Sequence, residues 1–340
     1  MSNPRKFKVA VVGATGAVGE VMLSVLAERK FPVGELIALA SERSAGGHVN
    51  FGDEEVPVQD LATFDPAGVD IALFSAGGDI SKNYAPKFAA AGAVVIDNSS
   101  AFRNDDDVPL VVSEVNPEQA RNRPRGIIAN PNCSTMQLLV ALKPLHDAAG
   151  IERINIATYQ SVSGTGRKAL EELGRQTAGL LNFKPVDATV YPVQIAFNVI
   201  PHGGDFLDNG YTTEEMKLVW ETRKILGDQS ILVNATVVRV PVFYGHSEAV
   251  NIETRDKLSA GEARRLLEAA PGIEVVDEAV DGGYPTPVTH ASGTDPVYVG
   301  RIREDLSHPR GLNLWIVSDN IRKGAALNAV QIAELVASEG

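Results

Sequence analysis

The sequence has one cysteine, Cys133, among its 340 residues. A single cysteine cannot form a disulfide within the chain, so the cysteine content does not indicate an oxidising compartment. No stretch reaches the roughly 18 uninterrupted apolar residues that a membrane-spanning helix needs. The short apolar run after the basic N-terminus breaks at a glycine-rich turn, which is not typical of a secretory signal. We therefore expect a cytoplasmic protein.

Basic residues are also in deficit, with 31 against 43 acidic ones and a formal net charge of −12. An acidic surface disfavours nucleic acids and anionic membranes as partners. It leaves small anionic substrates open, because a local cluster of arginine and lysine can override the overall field. The chain is longer than the size at which single hydrophobic cores usually stop growing, so we expect two domains.

The first part of the chain alternates short β-branched runs with helical patterns. The predicted strands are Phe7–Val12, Leu36–Ala40, Ile71–Phe74, Val94–Ile96 and Ile127–Ala129, with helices at Ala17–Arg29 and Ser81–Ala91. This alternation predicts an α/β fold, a Rossmann-like doubly wound parallel sheet with helices on both faces.

After a helix from Cys133 to about Ala149, the strand-like segments become longer and more numerous. They are Ile154–Gln160, Ile231–Val242, Glu248–Thr254, Val297–Arg303 and Leu312–Val317, with helices at Arg167–Leu180, Thr213–Leu226 and Ala260–Ala269. This predicts an α+β domain with a mixed, largely antiparallel sheet. The helical segment Lys323–Ser338 is expected to pack back on the first domain. The predicted domains are therefore 1–132, joined by a C-terminal helix in 318–340, and 133–317.

A glycine-rich turn joins the first predicted strand to the first helix, in the sequence Gly13-Ala14-Thr15-Gly16-Ala17-Val18-Gly19. Glycines let the backbone approach a pyrophosphate closely, and the helix N-terminus offers N–H groups to the anion. The spacing differs from the common G-x-G-x-x-G, so a tight turn without a ligand is the alternative. We predict that this turn binds a nicotinamide dinucleotide.

The segment after the second predicted strand contains signals for both nicotinamide cofactors. An acidic residue there favours NAD, whereas an arginine favours the 2′-phosphate of NADP. Arg43 has the hydroxyls of Ser41 and Ser44 on either side, which is typical of a phosphate pocket, and Glu42 can point to solvent. We predict NADP, with an ordinary surface charge as the alternative for Arg43.

Cys133 follows Asn130-Pro131-Asn132 and begins a predicted helix. The positive end of the helix dipole lowers the pKa of a thiol there and makes the thiolate available. The position is also expected at the carboxyl edge of the parallel sheet, where such folds bind ligands. Most isolated cysteines are small buried hydrophobes, but a core cysteine does not need this polar, turn-like context. We predict that Cys133 is a nucleophile.

A cysteine nucleophile needs a histidine for proton transfer. His246 follows a predicted strand in a small-residue loop, and His202 in Pro201-His202-Gly203-Gly204 is the rival. Residue patterns alone do not separate the two. The segment Gln160–Gly166 ends a strand with hydroxyl and glycine residues. We expect it to hold a substrate or the nicotinamide end of the cofactor, with a polar turn as the alternative.

Several motifs together resemble the aspartate-β-semialdehyde dehydrogenase family. They are GATGAVG, SERSAG, NSSAFR, NPNCST, QSVSGTG, EEMK, VRVPVFYGHSE and DNIRKGAALNA, which span nearly the whole chain. The resemblance implies the reversible NADP-dependent reductive dephosphorylation of L-4-aspartyl phosphate to L-aspartate 4-semialdehyde and phosphate. It also implies a homodimer and a place in the biosynthesis of lysine through diaminopimelate, threonine, methionine and isoleucine.

The resemblance further implies a role for each matching residue, without a metal. The catalytic residues are the thioester nucleophile Cys133, the acid/base His246 and Gln160, which positions the acyl intermediate. Substrate contacts are Arg239 for the α-carboxylate, Glu214 (or Glu215) for the amino group, and Asn132 near the oxyanion. Phosphate ligands are Arg103 and Lys217. Cofactor contacts are Gly13, Thr15, Gly16, Ala17, Val18, Ser41, Arg43, Ser44, Ser163, Gly164 and Asn320.

The mechanism so implied runs through a thioester. The Cys133 thiolate attacks the acyl phosphate, phosphate departs, and hydride from NADPH reduces the thioester to a thiohemiacetal anion. A protonated His246 then supplies a proton to that anion. In the reverse direction His246 is the base.

Three other functions share some of these features. N-acetyl-γ-glutamyl-phosphate reductase also needs cysteine, histidine and NADP, but its cysteine usually lies in a G-C-Y type context. A glyceraldehyde-phosphate-type dehydrogenase uses a thioester, but its S-C-T-T context is absent. A non-catalytic NADP-binding regulator would not need Cys133, Gln160, Arg239 and His246 together.

Overall fold

The computed structural model describes residues 5–339, and the chain forms two compact units. The first takes in the chain up to Asn132 and again from Ala325, and the second is Cys133–Gly324. The chain therefore rejoins the first unit at Ala325, later than the predicted residue 318. The Asp319 carboxylate accepts the backbone N–H groups of Ile321 and Arg322, and Arg322 pairs with Asp295, which holds this stretch in the second unit.

The first unit is built on a seven-stranded sheet. Its strands are β1 (Phe7–Val12), β2 (Val33–Ala40), β3 (His48–Phe51), β4 (Glu54–Asp60), β5 (Ile71–Phe74), β6 (Val94–Asp97) and β7 (Ile127–Ala129), in the order β3-β4-β2-β1-β5-β6-β7. Neighbours are parallel except β3 and β4, which form an antiparallel hairpin at one edge. The predicted doubly wound sheet is confirmed, with this hairpin as an addition.

Helices α1 (Ala17–Glu28) and α2 (Gly78–Ala90) follow β1 and β5, and the C-terminal helix Asn328–Ala337 completes the unit. That last helix buries Val330 and Ile332 in the same core cluster as Met22 and Leu26 of α1. The segment therefore packs on the first unit, as its apolar spacing predicted. No helix within residues 5–339 is both long and apolar enough to span a membrane.

The second unit contains a six-stranded mixed sheet. Its strands are β8 (Ile151–Gln160), β9 (Leu232–Arg239), β10 (His246–Thr254), β11 (Ile273–Val275), β12 (Val297–Glu304) and β13 (Gly311–Ser318), in the order β11-β12-β13-β10-β8-β9. Its helices are α3 (Cys133–Ala149), α4 (Arg167–Leu181), α5 (Thr213–Leu226) and α6 (Ala260–Ala269). The pairs β11/β12 and β8/β9 are parallel and the others antiparallel, so the predicted mixed sheet is confirmed.

The two faces of this second sheet differ. Helices α3, α5 and α6 pack against one face. Because side chains alternate along a strand, β8 turns Ile156 and Thr158 to that face and buries them. The alternate residues Asn155, Ala157 and Tyr159 point the other way and stay half-buried or exposed. We call this side, on β8, β9, β10 and β13, the open face of the sheet.

A buried carboxylate on α4 holds the segment that follows this helix. Glu172 Oε2 accepts the N–H groups of Thr189 and Val190, both at 2.7 Å, and the Thr189 hydroxyl at 2.5 Å. Its Oε1 accepts the Tyr191 N–H at 3.3 Å. Burial alone would raise the pKa of Glu172, but these hydrogen bonds together lower it below its usual value. The carboxylate therefore replaces the regular backbone partners that this segment lacks.

The same segment leads to a residue of the predicted site. Ile200 pairs with Arg239, each donating its backbone N–H to the other's carbonyl, at 2.9 and 2.8 Å. Arg239 is the last residue of β9, so this bridge extends the sheet by one residue at that edge. The α4 carboxylate thus supports, through the chain that it holds, the strand end that carries Arg239.

We predict that Glu172→Gln lowers the free energy of unfolding by about 2 kcal/mol at pH 7, because the amide offers one acceptor oxygen where the carboxylate offers two. Urea denaturation measures the change. Glu171→Gln, at the exposed neighbouring position on α4, is the control and is expected to be neutral.

The pH dependence of this difference follows from the lowered pKa. A carboxylate whose pKa is lower in the folded state stabilises the fold above its unfolded value, and loses this effect as the pH falls through the folded value. The difference between wild type and Glu172→Gln should therefore persist down to about pH 4.5 and shrink below it. Equal stabilities of the two proteins at pH 7 would contradict the assignment.

Candidate active site

Cys133 is the first residue of α3, and its side chain is half-buried. The first N–H groups of a helix point away from its N-terminus and favour a thiolate placed there. Gly324 packs against this residue, since a Cβ at Gly324 would lie 2.8 Å from the Cys133 Cβ. Only glycine leaves room beside the predicted nucleophile.

The last residue of β8 and the next one connect the cysteine's helix to His246. Gln160 Nε2 donates to Ser134 Oγ at 2.8 Å, and Ser134 follows Cys133 directly. The Ser161 N–H donates to His246 Nδ1 at 3.0 Å. Within the second unit, a short path of hydrogen bonds therefore joins the neighbour of Cys133 to the imidazole.

The rival histidine has different surroundings. The ring of His202 stacks on Phe206, with ring centroids 4.6 Å apart, and lies on a half-exposed loop. It shares no hydrogen bond with the path that ends at His246. The geometry therefore favours His246 as the partner of Cys133.

His246 is fully buried, and its charge state follows from its surroundings. Burial, followed by the nearby positive charge of Arg239, lowers the pKa of His246 to about 3, while Glu214 and the Gly245 backbone oppose the shift. The ring is therefore neutral at pH 7, whereas the predicted mechanism has it protonated. A negative charge brought by a substrate would oppose Arg239 and burial and raise this pKa.

Ser161 offers His246 partners for both neutral tautomers. Its N–H can donate to a bare Nδ1 at 3.0 Å, and its hydroxyl, 3.1 Å from the same nitrogen, can accept from Nδ1–H. In the first tautomer Nε2 carries the proton, and in the second it can receive one. Nε2 itself has no hydrogen-bond partner within the described chain. With Nδ1–H bonded to the Ser161 hydroxyl, Nε2 can take up a proton, and the imidazolium so formed can donate it again.

The amide of Asn320 organises the loops around this ring. Its Oδ1 accepts from the Gly245 N–H at 3.0 Å, the Ser161 hydroxyl at 3.0 Å and the Ser163 hydroxyl at 3.1 Å. Both Asn320 and Ser163 are buried. They are predicted cofactor contacts, and in the structure they also fix the residues that flank His246.

Arg239 and His246 meet at Gly164. The Arg239 guanidinium donates from Nη1 to the Ser161 carbonyl at 3.1 Å. A Cβ at Gly164 would lie 3.0 Å from that nitrogen and 3.3 Å from His246 Nε2. Gly164 is itself exposed. The absent side chain therefore leaves Gly164 as the thin cover over both the guanidinium and the buried imidazole.

The structure distinguishes the two adjacent glutamates of α5. Glu215 belongs to a capping box: its Oε2 accepts the Thr212 N–H at 2.7 Å, and its Oε1 accepts the Val237 N–H at 3.1 Å. Glu214 pairs with Lys217 at 2.6 Å, and its charge acts on the pKa of His246. Glu214 is therefore the carboxylate that faces the predicted site.

In the first unit, the glycine-rich turn closes tightly on the sheet. Gly13 has φ +86°, and a Cβ there would lie 2.6 Å from the Ser75 carbonyl oxygen. Gly16 precedes α1, and no side chain caps that helix. Its first N–H groups are thus suited to an anion. Thr15, Ala17 and Val18 are half-buried along this turn.

The predicted ribose segment forms a short 3₁₀ turn, Glu42–Ser44, directly after β2. It lies at the carboxyl edge of the sheet, as does the turn that follows β1. Ser41 and Arg43 are exposed and Ser44 is half-buried. Within residues 5–339, Arg43 has no ion-pair partner, so its guanidinium is available at this edge.

Arg103 and Asn132 also belong to the first unit, and both are buried. Arg103 donates from Nε to the Asn130 carbonyl at 2.9 Å and from Nη2 to the Asn98 carbonyl at 2.7 Å. Its guanidinium is thereby fixed against the turn that leads through Asn132 to Cys133.

Two supporting residues, Ser134 and Ser161, were missed by the sequence-based prediction. Ser161 acts partly through a backbone N–H, which every residue except proline has, so no side-chain pattern signals it. Ser134 contacts Gln160 from a position distant in sequence. The polar character of NPNCST and QSVSG was the available signal for both.

The fold and the site define a dinucleotide-dependent dehydrogenase with a cysteine–histidine site. Residues 8–123 match the family model described as semialdehyde dehydrogenase, NAD binding domain, and residues 142–323 match semialdehyde dehydrogenase, dimerisation domain. The chain belongs to the aspartate-semialdehyde dehydrogenase family. The family predicted from the motifs is thereby confirmed.

Relatives at high identity cover nearly the full chain. An aspartate-semialdehyde dehydrogenase of Legionella pneumophila is 62% identical over 338 residues, covering 98% of this chain and 97% of the relative. Aspartate-semialdehyde dehydrogenase 2 of Vibrio cholerae is 60% identical and covers 98% of both chains.

Solved structures give the same result. The Vibrio cholerae aspartate semialdehyde dehydrogenase II complexed with ASA has a TM-score of 0.97 at 58% identity, covering 98% of this chain and 99% of that one. The Candida albicans enzyme with NADP has a TM-score of 0.75 at 26% identity and covers 98% of each chain.

We predict that Gly164→Ala lowers kcat/KM for the semialdehyde by roughly 10- to 100-fold, because the methyl group would displace the guanidinium or the imidazole. The backbone at Gly164 is not in the left-handed region, so alanine is otherwise permitted. Steady-state kinetics measure the effect. Gly174→Ala, on α4 with open space around it, is the control. Unchanged kinetics in Gly164→Ala would refute the proximity of the two groups.

Proposed function

We propose that this enzyme catalyses the reversible NADP-dependent conversion of L-4-aspartyl phosphate to L-aspartate 4-semialdehyde and phosphate, in amino-acid biosynthesis. The observation that carries the proposal is the path Ser134–Gln160 and Ser161–His246, which joins the cysteine's helix to the imidazole beside Arg239. The Vibrio cholerae relative complexed with ASA supports the substrate class.

Two charged groups of the second unit suit the amino-acid end of the substrate. Arg239 presents a planar fork, well shaped for the α-carboxylate, and its hydrogen bond to the Ser161 carbonyl fixes its orientation. Glu214 is suited to the substrate ammonium group. Glu215 is not, because backbone N–H groups occupy both of its oxygens.

The first chemical step forms the thioester. The Cys133 thiolate attacks the acyl carbon, a C–S bond forms, and the C–O bond to phosphate breaks with its electron pair leaving on phosphate. N–H groups at the start of α3, with Asn132 beside them, are placed to stabilise the oxyanion. Gln160, whose Nε2 donates to Ser134 Oγ, is proposed to position the acyl group.

The second step reduces the thioester. The chemistry that a bound NADPH supplies is hydride donation to the thioester carbon. His246, protonated at both ring nitrogens once the substrate is bound, is proposed to donate from Nε2 to the thiohemiacetal oxygen. Collapse then forms the C=O bond, breaks the C–S bond with its electron pair going to sulfur, and returns the hydroxyl proton to Nε2. His246 is proposed as acid in this direction and as base in the other. The Ser161 hydroxyl can accept from Nδ1–H in both the acid and the base form.

Arg103 and Lys217 are proposed as the phosphate ligands. Arg103 is held by two carbonyl groups of the first unit and is thus oriented before an anion arrives. Lys217 is paired with Glu214 in the second unit. A phosphate dianion bound at Lys217 would compete with Glu214 for the Lys217 ammonium group. The Glu214 carboxylate would then be free to bind the substrate amino group.

NADP is proposed as the cofactor, and the residues present fit it. The turn at Gly13, Thr15, Gly16, Ala17 and Val18 offers close backbone approach and an uncapped helix to the pyrophosphate. Ser41, Arg43 and Ser44 form an exposed cationic and hydroxyl-bearing turn for a 2′-phosphate. Ser163, Gly164 and Asn320 are proposed at the nicotinamide end. The Candida albicans relative with NADP supports this choice.

A second copy of the chain is proposed as the partner. The model that matches residues 142–323 is a dimerisation domain. On the open face, Ala157, Ala249 and Trp315 form one row across three neighbouring strands, and the Tyr159 ring is tilted against Trp315 with ring centroids 5.5 Å apart. A row of apolar side chains across a sheet face suits the centre of a symmetric interface. We also propose that the enzyme acts in the cytoplasm, where a lone reactive thiol stays reduced.

The function is tested by following NADP reduction with aspartate semialdehyde. We predict that turnover requires phosphate and is faster with NADP than with NAD, and that an N-acetylglutamate semialdehyde analogue is not a substrate. Cys133→Ser should lose turnover by at least about 10³-fold while keeping its affinity for NADP. Undiminished aldehyde oxidation in that variant would rule out the covalent mechanism.

The dimer proposal has its own measurement. We predict that the wild type sediments with the mass of two chains and that Ala249→Arg sediments as one. A buried, unpaired guanidinium in an interface of about 800 Å² per partner cannot be solvated. Ala62→Arg, at an exposed position of the first unit, is the control and should stay dimeric. A dimeric Ala249→Arg would place the interface elsewhere.

A further inference from the structure

Glu248 is a buried carboxyl group that the proposed chemistry does not use. It lies two residues after His246 on β10, so both side chains point to the face of the sheet that α3 covers. Its exposure is 0%. Neither of its carboxyl oxygens has a hydrogen-bond partner of good geometry among residues 5–339.

Gln137 approaches Glu248 from α3. It lies four residues after Cys133, one helical turn further on the same side of the helix. Its Nε2 donates to the His246 backbone carbonyl at 3.4 Å, and its Oε1 has no partner in the described part of the chain. Gln137 therefore joins the cysteine's helix to the first residue of the histidine's strand.

Burial, rather than the contact with Gln137, dominates the pKa of the Glu248 carboxyl group. Burial raises the pKa of Glu248 well above its usual range, and the Gln137 amide is the group that opposes the shift. No charged side chain contributes. Burial without a charged partner thus favours the neutral carboxylic acid, which has one O–H to donate.

Acceptors and donors for such an acid surround it. Gln137 Oε1 can accept the Glu248 O–H. Thr158 lies opposite Glu248 on β8, and its buried hydroxyl also has no partner in the described chain. Small side-chain rotations would let the hydroxyl donate to the remaining carboxyl oxygen. The three side chains can thus satisfy one another without any ion.

We propose that Glu248 and Gln137 are positioning residues for the cysteine–histidine site. The neutral acid orients the Gln137 amide, and the amide fixes the strand of His246 against the helix of Cys133, one turn behind the reacting groups. The inference rests on the proposed roles of these two residues. A proton donor must lie within hydrogen-bond reach of its target, so a small displacement of either element slows the reaction.

Two variants of Glu248 separate positioning from a merely structural role. Glu248→Gln keeps the size, the neutrality and a donor, so kcat should stay within roughly threefold of wild type. Glu248→Leu has a similar volume but no hydrogen bond, and kcat should fall by roughly 10- to 100-fold. KM for the semialdehyde should change little, because Arg239 and Glu214 are untouched.

Stability gives the second readout. Leucine replaces a carboxyl group whose burial is unfavourable, so the thermal midpoint of Glu248→Leu should equal or exceed that of wild type. A structural role would instead lower kcat and stability together. Gln137→Met should reproduce the kinetic loss, and combining it with Glu248→Leu should add little, because both interrupt one contact.

Infrared spectroscopy of the full-length enzyme with NADP bound gives a readout that does not depend on turnover. The C=O stretch of a protonated carboxyl group should be present in wild type at pH 7 and absent from Glu248→Gln. An ionised Glu248, a Glu248→Leu with wild-type kcat, or a Glu248→Gln as slow as Glu248→Leu would each overturn the proposal. A failure of the proposed function would be seen in a different experiment, because turnover would then persist in Cys133→Ser.

Discussion

The burial of His246 without a counter-ion is the constraint on which the rest of the site depends. A buried neutral imidazole needs a partner at Nδ1, and Ser161 provides one for either tautomer. Ser161 is fixed in turn by Asn320, whose amide oxygen also holds Gly245 and Ser163. Loops from β8, β10 and β13 are therefore joined at one polar centre, and the Nε2 nitrogen lies beside Gly164.

Two nearby charges act on the pKa of the His246 ring. Arg239 lowers the pKa of His246 and Glu214 raises it, so the ring is placed between the two groups proposed to bind the ends of an amino acid. A zwitterionic substrate would neutralise both at once, and its additional phosphate would leave a net negative charge near the imidazole. Under the proposed function, protonation of His246 would follow the binding of the anionic substrate.

Much of the fold follows from local sequence, because strands buried on both faces are continuous apolar runs. β1, β5 and β7 were predicted at their observed bounds for this reason. β3 and β11 were missed because they are short strands at sheet edges, and β4 was missed because most of its residues are polar. In the site, His246 could not be separated from His202 by pattern alone. The choice depends on the antiparallel register of β8 and β10, which brings Ser161 beside a residue distant in sequence.

The carboxylate of Glu172 makes the position of Arg239 depend on α4, a helix that carries none of the reacting groups. It anchors the chain that runs to Ile200, and Ile200 pairs with the backbone of Arg239. Protonation of Glu172 would weaken this anchor and, through Ile200, the support of Arg239. The position of Arg239 therefore depends in part on a residue of α4, which can be changed without altering the catalytic groups.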